Sequence, residues 1–145
     1  MIRPIERTRL IEAPPQRLWN RLQDLRRWGE WDPQIRAGWA LSEGPWRPGW
    51  RGKLVTRWRI AGTVTIEDID VGKHLVWHAE FPAGVESRLE HRLQSEGQFT
   101  RLTFRAEFTG LLATLFGPFL RRRISRVFDR ALENLARLEK PRPTF

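Results

Sequence analysis

The sequence predicts an α+β domain in which an antiparallel sheet with one apolar face is closed by a long C-terminal helix. Three observations carry this. From Ile35 onward, apolar residues recur at every second position, the period of a half-buried strand. Near the C-terminus the period changes: Leu120, Ile124, Val127, Phe128, Ala131, Leu135 and Leu138 form one stripe at helical spacing. The breaks between the alternating segments, most of them bearing glycine, return the apolar face of each segment onto that of the next. A one-faced sheet and a one-faced helix bury those faces together.

The elements follow in order. "IERTRLIEA" reads as the first strand, stopped by Pro14 and Pro15; proline is tolerated in the first turn of a helix. "PPQRLWNRLQDL" then sets Leu18, Trp19, Leu22 and Leu25 at helical spacing. Gly29 breaks that segment, and "WGEWDPQ" reads as a second short helix or turn closed by Pro33. In "IRAGWAL", Ile35, Ala37, Trp39 and Leu41 alternate, and "SEGPWRPG" is a loop by its glycine and proline content. "WRGKLVTRWRI" places Trp50, Leu54, Trp58 and Ile60 on one face and Arg51, Lys53, Arg57 and Arg59 on the other. "VTIEDID", "KHLVWHAEF", "VESRLEHRL" and "TRLTFRAEFT" continue the alternation. "LLATLFGPFLRRRISRVFDRALENLARLEK" is the long helix, with Gly117-Pro118 a point of kinking or restart.

The turns give the register. A two-residue turn at Val71-Gly72 sets Ile66 against Trp77 and Val64 against Ala79. A three-residue loop at Pro82-Ala83-Gly84 sets Trp77 against Leu89 and Leu75 against His91. A turn at Glu96-Gly97 sets His91 against Leu102 and Leu89 against Phe104. A one-residue slip at any of them would turn the apolar face outward. The matched registers predict one internal wall holding Trp58, Trp77, Leu89, Phe104 and Phe128.

Length and composition bound the rest. The 145 residues, 40% hydrophobic, suit a single domain over 1–145. No apolar run approaches the roughly 18 residues of a membrane span, and the N-terminus lacks the apolar core of a secretory signal, so a cytoplasmic protein is expected. With no cysteine in the chain, disulfides, thiolate catalysis and cysteine zinc sites are excluded. The net charge of +9 is nearly all arginine, lysine occurring only at Lys53, Lys73 and Lys140. Such charge attracts anionic partners without sequence preference. An arginine-rich, lysine-poor chain with many tryptophans and prolines also reads as the codon bias of a GC-rich genome.

Few residues carry chemistry. His74 and His78 share a strand face, where their spacing spans roughly 13 Å, too far for one ion; no metal and no cofactor is expected. Alternation places His91 inside, beside Leu75 and Leu102, with Ser87 on its face. There it is either a hydrogen-bonded core histidine or a polar anchor for a ligand, or a general acid/base. A neutral imidazole is expected in that setting. Asp68 reads as inward near the end of its strand, without a place next to His91. No nucleophile motif or phosphate loop is present. "RRRISR" offers weak, salt-sensitive contact to anionic lipid, and no specific nucleic-acid binding is expected, because the tryptophans alternate inward. In "GPWRPGW", Trp46 and Trp50 suit a pocket lid or a structural cap.

A strand ending in "IEAP", a helix carrying "LW", the following "WGEWDP", the hairpin "EDIDVGKHLVW" and the C-terminal helix together resemble the START/Bet v 1-like proteins. That is the SRPBCC superfamily, which includes polyketide cyclases and dehydrases. The resemblance spans nearly the whole chain. It implies a helix-grip fold, in which a curved antiparallel sheet of about seven strands wraps the long C-terminal helix and two short helices follow strand one. It places Trp19, Trp28 and Trp31 in core and sheet-edge packing. It further implies binding or transport of a small hydrophobic or amphipathic ligand, lipid-like or polyketide-like, between sheet and helix. The wall-forming residues expected to contact it are Trp39, Leu54, Trp58, Ile66, Trp77, Leu89, His91, Phe104 and Phe128. Alternatives are a cyclase/dehydratase with His91 as the catalytic candidate, and a basic module for anionic surfaces or a protein partner.

Overall fold

The computed structural model describes residues 3–110, 114–115 and 117–140. Seven strands form one antiparallel sheet: β1 (Ile5–Ile11), β2 (Ile35–Ala40), β3 (Arg51–Thr56), β4 (Ala61–Asp70), β5 (His74–Phe81), β6 (Val85–Glu96) and β7 (Phe99–Thr109). Their order is β1-β7-β6-β5-β4-β3-β2, so β2 to β7 is a meander and β1 returns to pair with β7. Helix α1 (Pro15–Leu22) and a short 3-10 helix (Leu25–Glu30) follow β1, and α2 (Gly117–Leu138) packs on the inner face. This is the expected helix-grip. The start of the predicted long helix, residues 111–113 and 116, lies outside the described residues. No helix among the described residues is long and apolar enough to cross a membrane.

The first helix ends earlier than its pattern suggests. Leu25 begins the 3-10 helix, and Gly29 lies inside it rather than breaking α1. The Asp24 carboxylate accepts from the Arg26 N–H and so caps the new start, a side-chain acceptor for an otherwise orphaned backbone donor. The 3-10 helix lies so close over β2 and β3 that glycine is required there. A Cβ at Gly38 would stand 2.7 Å from the Leu25 carbonyl oxygen, and one at Gly52 would stand 2.5 Å from its side chain. On α2, Ile124, Phe128, Ala131 and Leu135 are buried as the stripe predicts. Leu132 joins them, while Leu138, at the end of the helix, is exposed.

Two of the three predicted registers hold in the core and one shifts. Ile66 faces Trp77, Val64 faces Ala79, Trp77 faces Leu89 and Leu75 faces His91. The Val71-Gly72 turn, however, is a residue longer, since Asp70 pairs with His74. A bulge between Ile66 and Asp68 cancels the difference before the core is reached. That bulge also turns Asp68 outward. The last turn lies at Gly97-Gln98, because Glu96 pairs with Phe99, so His91 faces Phe104 and Leu89 faces Ala106. The correction is an even number of residues, which keeps every inward side chain inward.

Two predicted wall residues leave the wall. Ile35 pairs with Thr56 but Ala37 pairs with Val55, a bulge that inverts the alternation. Gly38 therefore faces in, and Trp39 is 45% exposed, with Leu41 exposed beyond the strand. β3 ends at Thr56, and residues 57–60 form the turn to β4, with Arg59 at φ 63°. Trp58 stands on that turn, 55% exposed, and Ile60 is exposed with it.

Candidate functional site

The interior between sheet and α2 is a continuous set of aromatic rings. Trp46 lies 4.9 Å from Trp50 and 6.0 Å from Trp28; Trp28 lies 4.8 Å from Trp77 and 6.1 Å from Trp31. Trp31 meets Phe104 at 5.6 Å, and Phe104 meets Phe128 at 5.7 Å, edge to face. These separations are those of favourable ring pairs. Trp19, Trp28 and Trp31 are fully buried, so the tryptophans of the N-terminal segment pack the core. The loop "GPWRPGW" is a structural cap on that core through Trp46 and Trp50. Of the predicted ligand contacts, Leu54, Ile66, Trp77, His91, Phe104 and Phe128 are buried in this interior, and Leu89 packs at its margin.

His91 is 2% exposed. Its Nε2 accepts the Trp77 indole N–H at 2.9 Å, so the neutral ring carries its proton on Nδ1. Burial pushes the imidazole down to about 3, which makes the neutral form the one present at pH 7. Among the described residues Nδ1 has no hydrogen-bond partner, leaving one buried N–H donor for an acceptor oxygen. His74 and His78 are half-buried on the outer face, 3.4 Å from Asp68 and from Glu67 respectively.

A second feature opens at the edge of this interior. A groove of about 500 Å³ lies between α2 and the β3–β4 turn. Its apolar wall is Trp58, Phe119 and Val127; its polar wall is Arg57, Arg122, Arg123, Arg126 and Arg130, with Pro33 and Gln34 at one end. The helical residues fall at 119, 122, 123, 126, 127 and 130, one face of α2 adjacent to its core stripe. Trp58 is thus a groove residue rather than an interior one, and the Arg123 guanidinium sits 4.5 Å from its ring centroid, within cation–π range. Next to Pro33, the Asp32 carboxylate accepts the Gln34 N–H at 2.9 Å. Desolvation pushes its carboxyl up to about 6, against the opposing pull of that N–H and of Arg57.

Sequence reading missed this groove. The core stripe leaves Arg122, Arg123, Arg126 and Arg130 outside it, but nothing in the local pattern shows that a turn some sixty positions upstream faces them. Asp32 carried no motif. The one available signal was that these arginines themselves repeat at helical spacing.

The chain matches the family model described as "Polyketide cyclase / dehydrase and lipid transport" over residues 4–138. No curated protein matches it in sequence. Solved structures share its fold at low identity. A hypothetical protein from Helicobacter pylori is 10% identical with a TM-score of 0.84, over 97% of this chain and 89% of that one. CalU16 from Micromonospora echinospora is 20% identical with a TM-score of 0.66, over 99% of this chain and 78% of that one. DynU16, a protein in the dynemicin biosynthetic locus, is 17% identical with a TM-score of 0.72, over 97% of this chain. This chain spans about half of DynU16, 48% of its length.

Proposed function

The chain belongs to the polyketide cyclase/dehydrase and lipid transport family, and from that premise we propose that it binds or carries a small amphipathic molecule at the groove between α2 and the β3–β4 turn. The observation that carries the reading is the exposed apolar wall. Trp58 and Phe119 are 55% and 66% exposed on facing elements, where large aromatics gain by being covered. The groove also has the size of a small-molecule site, about 300–1,000 Å³. The interior between sheet and helix is occupied by rings in mutual contact, so the groove, and not that interior, is the place offered to a ligand body.

Calorimetric titration with medium-chain alcohols and acids tests this. At least one is expected to bind, and Trp58→Ala with Phe119→Ala is expected to weaken it by about tenfold or more, since one large apolar contact is worth roughly 1.5–3 kcal/mol. Absence of binding by the whole series, or unchanged affinity in the double variant, would remove the groove as the site.

A second reading, a cyclase or dehydratase acting on a polyketide-like chain, is favoured by Asp32. A carboxyl held at about 6 is poised to exchange a proton near neutral pH. Under this reading Asp32→Asn lowers turnover by about 10²–10⁴-fold while ligand affinity survives. Equal turnover in the variant assigns Asp32 a local structural role.

A further inference from the structure

We infer that the occupant of this groove is an amphipathic oxyanion: a small molecule with a carboxylate at one end and an acyl or aromatic body at the other. The inference rests on the small-ligand reading above and names its chemical class. Elsewhere among the described residues nine arginines meet acid, as in Arg21 with Glu139, Arg88 with Glu67 and Arg101 with Glu96, while Arg9, Arg36, Arg47, Arg51 and Arg59 are exposed without an ion pair. What sets the groove apart is that five unpaired arginines converge on one recess beside an apolar wall. Among the described residues, no carboxylate stands within ion-pair distance of Arg57, Arg122, Arg123, Arg126 or Arg130.

The cost of that arrangement is legible on the helix. Arg122, Arg126 and Arg130 follow one another at i, i+4 and i+8, so like charges are neighbours on one face. An oxyanion in the groove relieves that repulsion, and a guanidinium offers it two parallel N–H donors. Arg123 is suited to this, because stacking on Trp58 at 4.5 Å engages the face of the guanidinium and leaves its in-plane donors. The apolar wall beside these cations sets the other half of the ligand. The site is a concave recess of about 500 Å³, which encloses a small molecule and does not match a flat bilayer.

Titration of the full chain with decanoate and with decanol, each below its aggregation limit, tests the inference. Decanoate is expected to bind roughly 10–100-fold more tightly, the range of a charge-assisted hydrogen bond, and the preference is expected to shrink with added salt. Arg126→Gln with Arg130→Gln should abolish the preference. Both side chains are exposed, and an unchanged melting temperature verifies the fold. Arg9→Gln removes a like charge from an exposed position on β1, at the opposite edge of the sheet, and should leave the preference intact. Equal affinity for decanoate and decanol overturns the oxyanion inference and leaves the ligand reading standing. Binding of neither overturns the ligand reading and this inference with it. An equal loss in Arg9→Gln overturns it in favour of net charge. Binding to phosphatidylglycerol vesicles without binding to dissolved decanoate overturns it in favour of a membrane surface.

Discussion

Trp28→Ala is expected to destabilise the protein by about 3–5 kcal/mol, the usual cost of truncating a large core aromatic. Trp28 is fully buried and is the ring where three parts of the chain meet. It touches Trp31 of its own segment, Trp46 of the loop before β3 and Trp77 of β5, at 6.1, 6.0 and 4.8 Å. Its indole N–H also donates to the Leu22 carbonyl at 2.8 Å, so truncation leaves a buried acceptor unpaired. No single neighbour can collapse into the space without drawing away from the others. Against a total stability of about 5–15 kcal/mol this is a large fraction. A lower urea midpoint with an unchanged slope is the expected record. A midpoint equal to that of the unmodified protein would place Trp28 outside the core.

His91 is expected to make stability fall on acidification. Burial holds its imidazole at about 3 against an ordinary 6.5. Between those values the unfolded chain binds a proton that the native protein refuses. The stabilisation is complete above pH 6.5 and is lost as pH falls toward 3, at up to about 1.4 kcal/mol per pH unit. Asp32 acts in the opposite sense. Its carboxyl is raised from 3.8 to about 6, so the native state keeps a proton that the unfolded chain has released, and its contribution falls as pH rises through that window. The Asp32 window, from 3.8 to about 6, is narrower than that of His91, from 6.5 to about 3, so its total contribution is the smaller. Comparing the protein with His91→Phe cancels the Asp32 contribution. The variant also orphans the Trp77 N–H at every pH, a constant offset. The readout is therefore the slope: the stability difference between the two proteins should shift by roughly 1 kcal/mol per unit below pH 6.5. Parallel curves would mean that His91 titrates as if in water.

The extent to which the sequence foretold the structure follows from parity. Strand alternation is a two-state signal, so an error of two residues is harmless. The turn placed at Glu96-Gly97 instead of Gly97-Gln98 changed the partners of His91 and Leu89 but kept both facing inward. An error of one residue is not harmless, and bulges produce it. The bulge after Ile35 put Trp39 in solvent, and the bulge after Ile66 did the same to Asp68. Neither leaves a composition signal as strong as a glycine turn. Trp58 was misplaced because β3 stops at Thr56 while its apolar pattern runs on through Ile60. The interior around His91 was legible because it is made of local patterns in register. The groove was not, because it joins the β3–β4 turn to a helix some sixty residues later, and because the charge on Arg126 or Arg130 reads the same whether it faces a ligand or bulk water.

The sorting of the tryptophans has an optical consequence. The chain has eight tryptophans and no tyrosine, so its near-ultraviolet absorption and emission come chiefly from indole. Trp19, Trp28, Trp31, Trp50 and Trp77 are buried, Trp46 is half-buried, and Trp39 and Trp58 are exposed. The buried rings stand close enough to exchange excitation and to give a strong near-ultraviolet dichroism that vanishes on unfolding. The two exposed rings emit at the long-wavelength edge, reachable by dissolved quenchers. One of them, Trp58, belongs to the groove, while Trp39 lies on the edge strand away from it. Trp39→Phe would leave a protein whose red-edge emission reports the groove alone, and whose remaining spectrum reports the integrity of the fold, in a single cuvette and without any attached dye.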